Sequence, residues 1–458
     1  MLFRSLLAED FCKEIDVFEQ RSSFGGVWNH SNTTRDRKLC VPQTNPNQPV
    51  EDPIWQTGER DSDVGQSGKI IFPSPMYDGL ETNIPDLLMA HSDNQSLTSH
   101  QLFPSREMVL TYLEQHAIEV QDLVSFNTQI MDVRLTERRC GGRWAIDIKN
   151  LITQETRVKI YDAVVIASGH YDVPSIPNIK GIGAWNHANP GVISHSKTYA
   201  NPSFYEGKKT VIVGYSASGI DIASQISTTA RLPILVSQRS PSALTFPVPY
   251  KRDVPEILEF LPTSKGDRAV LFADGHVETC IDAVLFCTGY FYTLPFLSTL
   301  APPLLSTGER VQHLYKHIFY IEHPTLAFVG LPSKIIPFRT FEAQATIIAR
   351  IWSGKLTLPS KGEMKAWEND LLQLRGSGKA FHILEHPDDF NYHDELIGWA
   401  SSVASGLPRR LPPQWTEKDH WIRKRIPQIK KAFAQKGEAR HGVRCMESLG
   451  FYYPDTAE

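Results

Sequence analysis

Residues 210–240, TVIVGYSASGIDIASQISTTARLPILVSQRS, decide the fold of this 458-residue chain. Thr210-Val211-Ile212-Val213 is a short apolar, β-branched run that reads as a buried strand. Gly214-Tyr215-Ser216-Ala217-Ser218-Gly219 follows at once, the helical pattern GIDIASQIS comes next, and Ile234-Leu235-Val236-Ser237 reads as a second strand. A glycine pattern alone is weak, but between a strand and a helix it is a dinucleotide fingerprint. Gly214 allows the tight turn and Gly219 allows close helix packing, while the helix N-terminus offers unpaired N–H groups and a positive dipole end to a pyrophosphate. Ser216 stands where the middle glycine is usual, and its small side chain still lets the backbone approach. The competing reading is a merely structural tight turn.

The end of that second strand speaks to which dinucleotide. An NAD site places Asp or Glu there for the ribose hydroxyls, whereas this chain has Ser237-Gln238-Arg239-Ser240. A charged hydrogen bond contributes about 1.5–3 kcal/mol, so Arg239 against a 2′-phosphate favours NADPH over NADH by roughly ten- to hundredfold. The alternative is an Arg239 that simply faces solvent.

Upstream, LLAEDFCKEIDVFEQ reads as the end of a helix, a connection and a buried strand Ile15-Asp16-Val17-Phe18 ending at Glu19. That is the second half of a βαβ unit, with Glu19 where an acid can accept both hydroxyls of an adenosine ribose. A whole unit would begin with a strand and a glycine-rich turn, so roughly 15 to 30 residues are expected ahead of Met1. Helical patterns follow at 85–90 and 106–117. From about Leu123 a β-meander returns to the strand Ala163-Val164-Val165-Ile166-Ala167, which ends at Ser168-Gly169. Ala283-Val284-Leu285-Phe286-Cys287 and its Thr288-Gly289-Tyr290 turn echo that strand. Leu326-Ala327-Phe328-Val329-Gly330 adds another, and a helix is expected over 341–352. The fold class is α/β with two Rossmann-like dinucleotide-binding domains. An NADPH domain, 173–285, is inserted into a discontinuous first domain, 1–172 and 286–458, whose first strand and glycine loop are missing and to which the family resemblance given below assigns FAD.

Composition narrows the function. With 41% hydrophobic and 21% charged residues and a net charge of −4, nothing steers the chain toward nucleic acid or an anionic membrane. The basic run KRIPQIKK reads as a solvated helix face. No apolar stretch reaches the roughly 18 residues of a membrane span. The six cysteines, Cys12, Cys40, Cys140, Cys280, Cys287 and Cys445, lack zinc or C-x-x-C spacing. They argue for a reducing, cytoplasmic setting and against a dithiol reductase. His382 and His386 have i, i+4 spacing, but Pro387 is expected to end any helix there, leaving a polar loop rather than a metal site.

The motifs then become specific. Gly191-Val192-Ile193-Ser194-His195-Ser196-Lys197-Thr198-Tyr199 resembles the motif F-x-G-x-x-x-H-x-x-x-Y of flavin-containing monooxygenases, with Asn189 in place of the first aromatic. SPMYDGLETNIP at 74–85, FPSR at 103–106, GGVW at 25–28, SGHYDVP at 168–174 and CTGY at 287–290 complete the set. The likeness covers nearly the whole chain and looks nearest to fungal and yeast-type members. It implies that NADPH reduces FAD, that O2 adds at flavin C4a, and that the hydroperoxide gives one oxygen atom to a soft nucleophilic small molecule. It also implies cofactor contacts at Glu19, Gly26, Trp28, Asn83, Gly214, Tyr215, Ser216, Ser218, Gly219, Ser237, Arg239, Thr288 and Gly289. Asn83 would stand beside the flavin and support bound oxygen; its competing role is the N-cap of a helix near Pro85. His195 and Tyr199 would organise the domains rather than catalyse, and a tyrosine at 199, where Baeyer–Villiger enzymes carry tryptophan, points to heteroatom oxygenation. A homodimer is the candidate assembly. The runner-up function is a relative that binds NADP but cannot hold FAD.

Overall fold

The computed structural model describes the chain except residues 1, 31–38, 57–68, 96, 98–100, 137–141, 240–246, 263–266, 403–410 and 455–458. Cys140 and Ser240 lie outside the described residues. The chain forms two compact units. Unit 1 comprises Met1–Gly26, Glu81–His170 and Tyr292–Glu458; unit 2 comprises Val27–Leu80 and Tyr171–Phe291.

Unit 2 is built on five parallel strands: β1 (Ile193–His195), β2 (Lys209–Val213), β3 (Arg231–Ser237), β4 (Lys251–Val254) and β5 (Ala283–Phe286). They lie in the order β1-β5-β2-β3-β4, and helix α1 (Ala217–Ile226) carries the chain from β2 to β3. Successive strand residues face opposite sides of a sheet, so a strand covered on both faces must be apolar throughout. Ile212, Val236 and Leu285 pack on one side with Ile222 of α1, and their neighbours Val211, Leu235 and Val284 pack on the other with Phe260 and Phe272. All of these are essentially solvent-free. Each contributes about 1.5–3 kcal/mol of burial, which explains the unbroken V-I-V and I-L-V runs.

Unit 1 contains the parallel pair Val17–Phe18 and Val124–Ser125, and a second parallel pairing of Val164–Ile166 with Leu326–Phe328 inside a four-stranded sheet. The expected strand at Ile15 begins two residues later, at Val17. Thr128–Leu135, Trp144–Asn150 and Thr156–Tyr161 form the antiparallel meander that the alternating pattern predicts. Helix Pro337–Trp352 starts four residues before the expected Phe341, because Pro337 occupies its first turn, where a missing N–H is harmless. Two later helices open with capping boxes, Ser360 with Glu363 and Thr416 with Asp419. Among the described residues no helix is long and apolar enough to cross a membrane.

Two readings of the C-terminal third need correction. Pro387 does not end a helix but precedes one, Asp388–Ser401, and His382 and His393 are fully buried rather than placed in a polar loop. The KRIPQIKK run lies in helix Glu417–Ala434 with Ile426 and Ile429 in the core, so only part of it is solvated. Among the described residues no cluster of three His, Cys, Asp or Glu could hold a metal ion.

The buried histidines form a directional pair instead. His382 Nε2 accepts from the Val311 N–H at 3.1 Å, so its proton sits on Nδ1 and is donated to His317 Nδ1 at 2.9 Å. A further proton on either ring would set donor against donor. Burial accordingly lowers His317 to about 3 and His382 well below the usual imidazole range. A depressed imidazole contributes stability that is whole above the unfolded pKa near 6.5 and is lost as pH falls. Unfolding free energy should therefore drop between about pH 6.5 and 5, by up to about 1.4 kcal/mol per pH unit for each ring. Denaturant titrations across this range should show a flatter slope for the His317→Asn/His382→Asn protein, whatever its absolute stability; an unchanged slope contradicts the assignment.

Candidate functional site

The glycine turn of unit 2 is dictated by a close backbone approach. Gly214 has φ +92°, and a Cβ there would lie 2.8 Å from the carbonyl oxygen of Cys287. A Cβ on Gly219 would meet the Gly214 oxygen at 2.3 Å. Neither position accepts a side chain without moving main chain, so both glycines follow from packing. Ser216 is the N-cap residue of α1 and its side chain makes no capping bond; Ser216 is exposed and Ser218 half-buried. The first N–H groups of a helix have no intrahelical partner, and here they open on a small, accessible turn. Tyr215 differs from its neighbours. Its ring is buried in the apolar cluster with the Lys251 ammonium 5.0 Å from its centroid, so only its backbone can face a ligand.

The motif histidine and tyrosine hold this turn from two sides. His195 is fully buried; its Nδ1 accepts from the Lys197 N–H at 3.1 Å, which leaves the proton on Nε2 for the Gly289 carbonyl at 3.1 Å. Gly289 also accepts from the Ser175 N–H at 2.9 Å, and the Thr288 hydroxyl donates to the Ser175 carbonyl. The turn after β5 is thereby fixed where Cys287 meets Gly214. Tyr199 donates to Gln225 on α1 at 3.0 Å, and Gln225 in turn donates to the Gly79 carbonyl at 3.1 Å. Tyr77 donates to Asp221, one turn earlier on the same helix. Burial first, and the Asp221 carboxylate second, raise the Tyr77 phenol well above its usual range. The SPMYDGL segment is thus a clamp on α1, a role the sequence did not signal. Cys287 is buried and its thiol is pushed up to about 12 by that burial, which removes it from thiol redox chemistry.

Beyond β3 the structure separates two expected contacts. Ser237 is buried and gives its hydroxyl proton to the Pro255 carbonyl at 2.9 Å, while its own carbonyl accepts from the Gly214 N–H at 2.9 Å. Arg239 is 81% exposed, but it does not simply face water: its Nε donates to Glu256 at 3.0 Å.

In unit 1 the parallel strands Val164–Ile166 and Leu326–Phe328 end at Ser168-Gly169 and Gly330. A cavity of about 10 Å³, the size of one water, is bordered by these turns together with Thr293, Val311 and Leu331. Ligands of α/β sheets bind at the carboxyl ends of strands, which makes these turns the candidate cofactor edge of unit 1. Behind them His170 lies 4.7 Å from the Tyr292 ring and is lowered to about 4 by burial. Glu19 ends its strand with its carboxyl accepting from the Arg21 N–H at 2.8 Å, and burial raises its pKa. Gly26 takes a left-handed φ of 51° with open space where a Cβ would stand. Trp28 is half-buried.

Asn83 does not cap a helix: the N-cap of Asp86–Met89 is Pro85. Asn83 is exposed at a turn held by Thr82, whose N–H donates to the Pro104 carbonyl at 2.9 Å and whose carbonyl accepts from Lys430 at 2.8 Å. Asp86, three residues on and missed in the sequence, is buried with its carboxyl pushed up to about 7 by desolvation.

Parallel pairing in both units and a glycine turn that opens a helix in unit 2 are the features of a dinucleotide-binding α/β oxidoreductase. The sequence matches the flavin-binding monooxygenase-like family over residues 67–246 and 255–395. It is 33% identical over 410 residues to flavin-containing monooxygenase FMO GS-OX3 of Arabidopsis thaliana, covering 85% of this chain and 79% of that one. It is 26% identical over 462 residues to flavin-containing monooxygenase ustF2 of Aspergillus flavus, covering 90% and 92%. The structure of S-allyl-L-cysteine S-oxygenase from Allium sativum superposes with a TM-score of 0.75 at 27% identity, covering 98% of this chain and 93% of that chain. The chain belongs to the flavin-binding monooxygenase-like family, and is an FAD- and NADPH-dependent monooxygenase that uses O2 on a small-molecule substrate.

Removing the His195 side chain frees the 287–290 turn against which Gly214 rests. His195→Ala should weaken NADPH binding about tenfold or more, the loss of one to two buried hydrogen bonds at roughly 0.5–1.5 kcal/mol each plus a cavity. Tyr199→Phe, which removes a single bond to α1, should cost threefold to tenfold at most. Fluorescence titration with NADPH measures both.

Proposed function

We propose that unit 2 holds NADPH on the Gly214–Gly219 turn, that unit 1 holds FAD along the 168–169 and 330 turns, and that the oxygen acceptor is a small sulfide, with amines as the second class. The observation that carries the coenzyme part is the pair of glycines whose missing Cβ atoms let the turn pack on the Cys287 carbonyl and α1 start directly from it, at an exposed Ser216. Glu19, fixed at its strand end, supports the adenosine ribose of FAD. The sulfide preference is supported by the likeness to the garlic S-oxygenase across almost the whole chain. A cytoplasmic setting belongs to the same reading and is supported by the free Cys12, Cys40, Cys280, Cys287 and Cys445.

When bound, the two cofactors supply a hydride and the activation of O2; the residues supply position and shelter. The α1 N-terminus and Arg239 bind the phosphates. His195 and Thr288 hold the turn behind them. Asn83 offers an amide N–H that has no partner among the described residues, which suits it to hold an oxygen atom in place until transfer. Without that donor, a proton delivered from water would divert the oxygen to hydrogen peroxide.

The test is NADPH-dependent O2 uptake by the FAD-loaded protein, with and without methyl p-tolyl sulfide, with sulfoxide and hydrogen peroxide quantified. Wild type should form sulfoxide in near-stoichiometric amount to NADPH. Asn83→Ala should still oxidise NADPH but release most of the oxygen as hydrogen peroxide, with sulfoxide yield down about tenfold, the loss of roughly one hydrogen bond of 1.5 kcal/mol to a charged acceptor. NADPH binding without flavin-dependent oxidation would favour an NADP-binding relative instead.

A further inference from the structure

The coenzyme edge of unit 2 carries more acid than a site for a doubly charged phosphate calls for. Arg239 follows β3, and its Nε is taken by Glu256 at 3.0 Å, with the two side chains 81% and 46% exposed. Asp253 sits at the adjoining end of β4, in register with Val236, and accepts from Gln238 Nε2 at 3.2 Å. The other cations nearby are committed. Lys251 holds both oxygens of Asp253 at 2.6 Å, and Arg252 and Lys209 both contact Glu278 at 2.5 Å. Of these cations Arg239 is the most exposed and the one that follows β3, so it is the best placed to meet a ligand at this edge, and it arrives already paired with a carboxylate.

We propose that Glu256 is a specificity-determining residue: its carboxylate, seated on Arg239, narrows the preference for a 2′-phosphorylated adenosine over an unphosphorylated one. The inference rests on the reading that unit 2 holds NADPH. Glu256 engages Nε, so the guanidinium can still present its two Nη groups to a phosphate. A phosphate monoester carries about −1.5 to −2 charges at pH 7 and would bind within a few ångströms of the carboxylate. Attraction to Arg239 and repulsion from Glu256 act on the same dianion, whereas a 2′-hydroxyl feels neither strongly. The carboxylate also orients the guanidinium, so it acts in two directions at once. Glutamine separates them, because its amide oxygen accepts the same Nε–H without the charge.

Equilibrium binding of 2′,5′-ADP and of 5′-ADP to the whole protein gives a readout that needs neither flavin nor turnover. Wild type should favour 2′,5′-ADP by less than about tenfold, since exposed charge pairs are screened and weak. Glu256→Gln should raise that ratio about three- to tenfold at low salt, and the gain should shrink toward unity near 0.5 M NaCl, where the screening length falls to a few ångströms. Arg239→Gln should bring the ratio to about one. A ratio in Glu256→Gln that stays within twofold of wild type, while wild type binds 2′,5′-ADP and Arg239→Gln loses the preference, overturns the role of Glu256 and leaves the coenzyme reading intact. Failure of wild type to bind either nucleotide overturns the coenzyme reading and this inference together.

Discussion

The contact of Gly214 with the Cys287 carbonyl is the constraint on which unit 2 depends. Two turns at the carboxyl ends of neighbouring parallel strands, β2 and β5, come within a distance that excludes a methyl group. Everything around them serves that approach. Gly219 lets α1 rise directly off the turn, His195 ties the far side of the β5 turn through one fixed tautomer, and Ser237 both accepts from Gly214 and anchors to Pro255. The result is a helix that starts directly from a tight turn with the small Ser216 and Ala217 side chains exposed at its N-terminus, which suits an anionic pyrophosphate. The G-x-x-x-H-x-x-x-Y motif acquires a physical meaning here: its histidine fixes a turn and its tyrosine fixes the helix.

Unit 1 achieves its order differently, through buried groups that must stay neutral. His317 and His382 share one proton in one direction, His170 lies against Tyr292, and Tyr292 donates to the Leu331 carbonyl beside the 330 turn. Burying polar rings in this way is costly unless each hydrogen bond is made, and desolvation, reinforced by the nearby Arg310 for His382 and Arg375 for His317, keeps both imidazoles neutral.

The sequence made the strands and the nucleotide turn legible because their causes are local. V-I-V before a glycine and I-L-V after a helix leave few alternatives, and the meander over 128–161 shows its alternation plainly. Pro387 misled because a proline stops a helix from within but is welcome just ahead of one, and only the three-dimensional start at Asp388 tells the two apart. Asn83 looked like a cap since Pro85 was expected inside the helix; Pro85 is instead the cap residue itself. Tyr77, Asp221, Gln225 and Glu256 could not be singled out at all. Their roles arise from partners 144, 26 or 17 positions away, which no spacing rule reports.

Gly219, where a Cβ would meet the Gly214 oxygen at 2.3 Å, is the position at which coenzyme binding is most directly open to test. NADPH binding to Gly219→Ala, followed by coenzyme fluorescence on a protein shown folded by circular dichroism, measures whether that space is the binding determinant. Loss of affinity by about a hundredfold, the scale of roughly 3 kcal/mol for a methyl forced on main chain, is the predicted result. Retention of wild-type affinity would contradict the claim that the Gly214–Gly219 turn, held against Cys287, is where this monooxygenase receives its coenzyme.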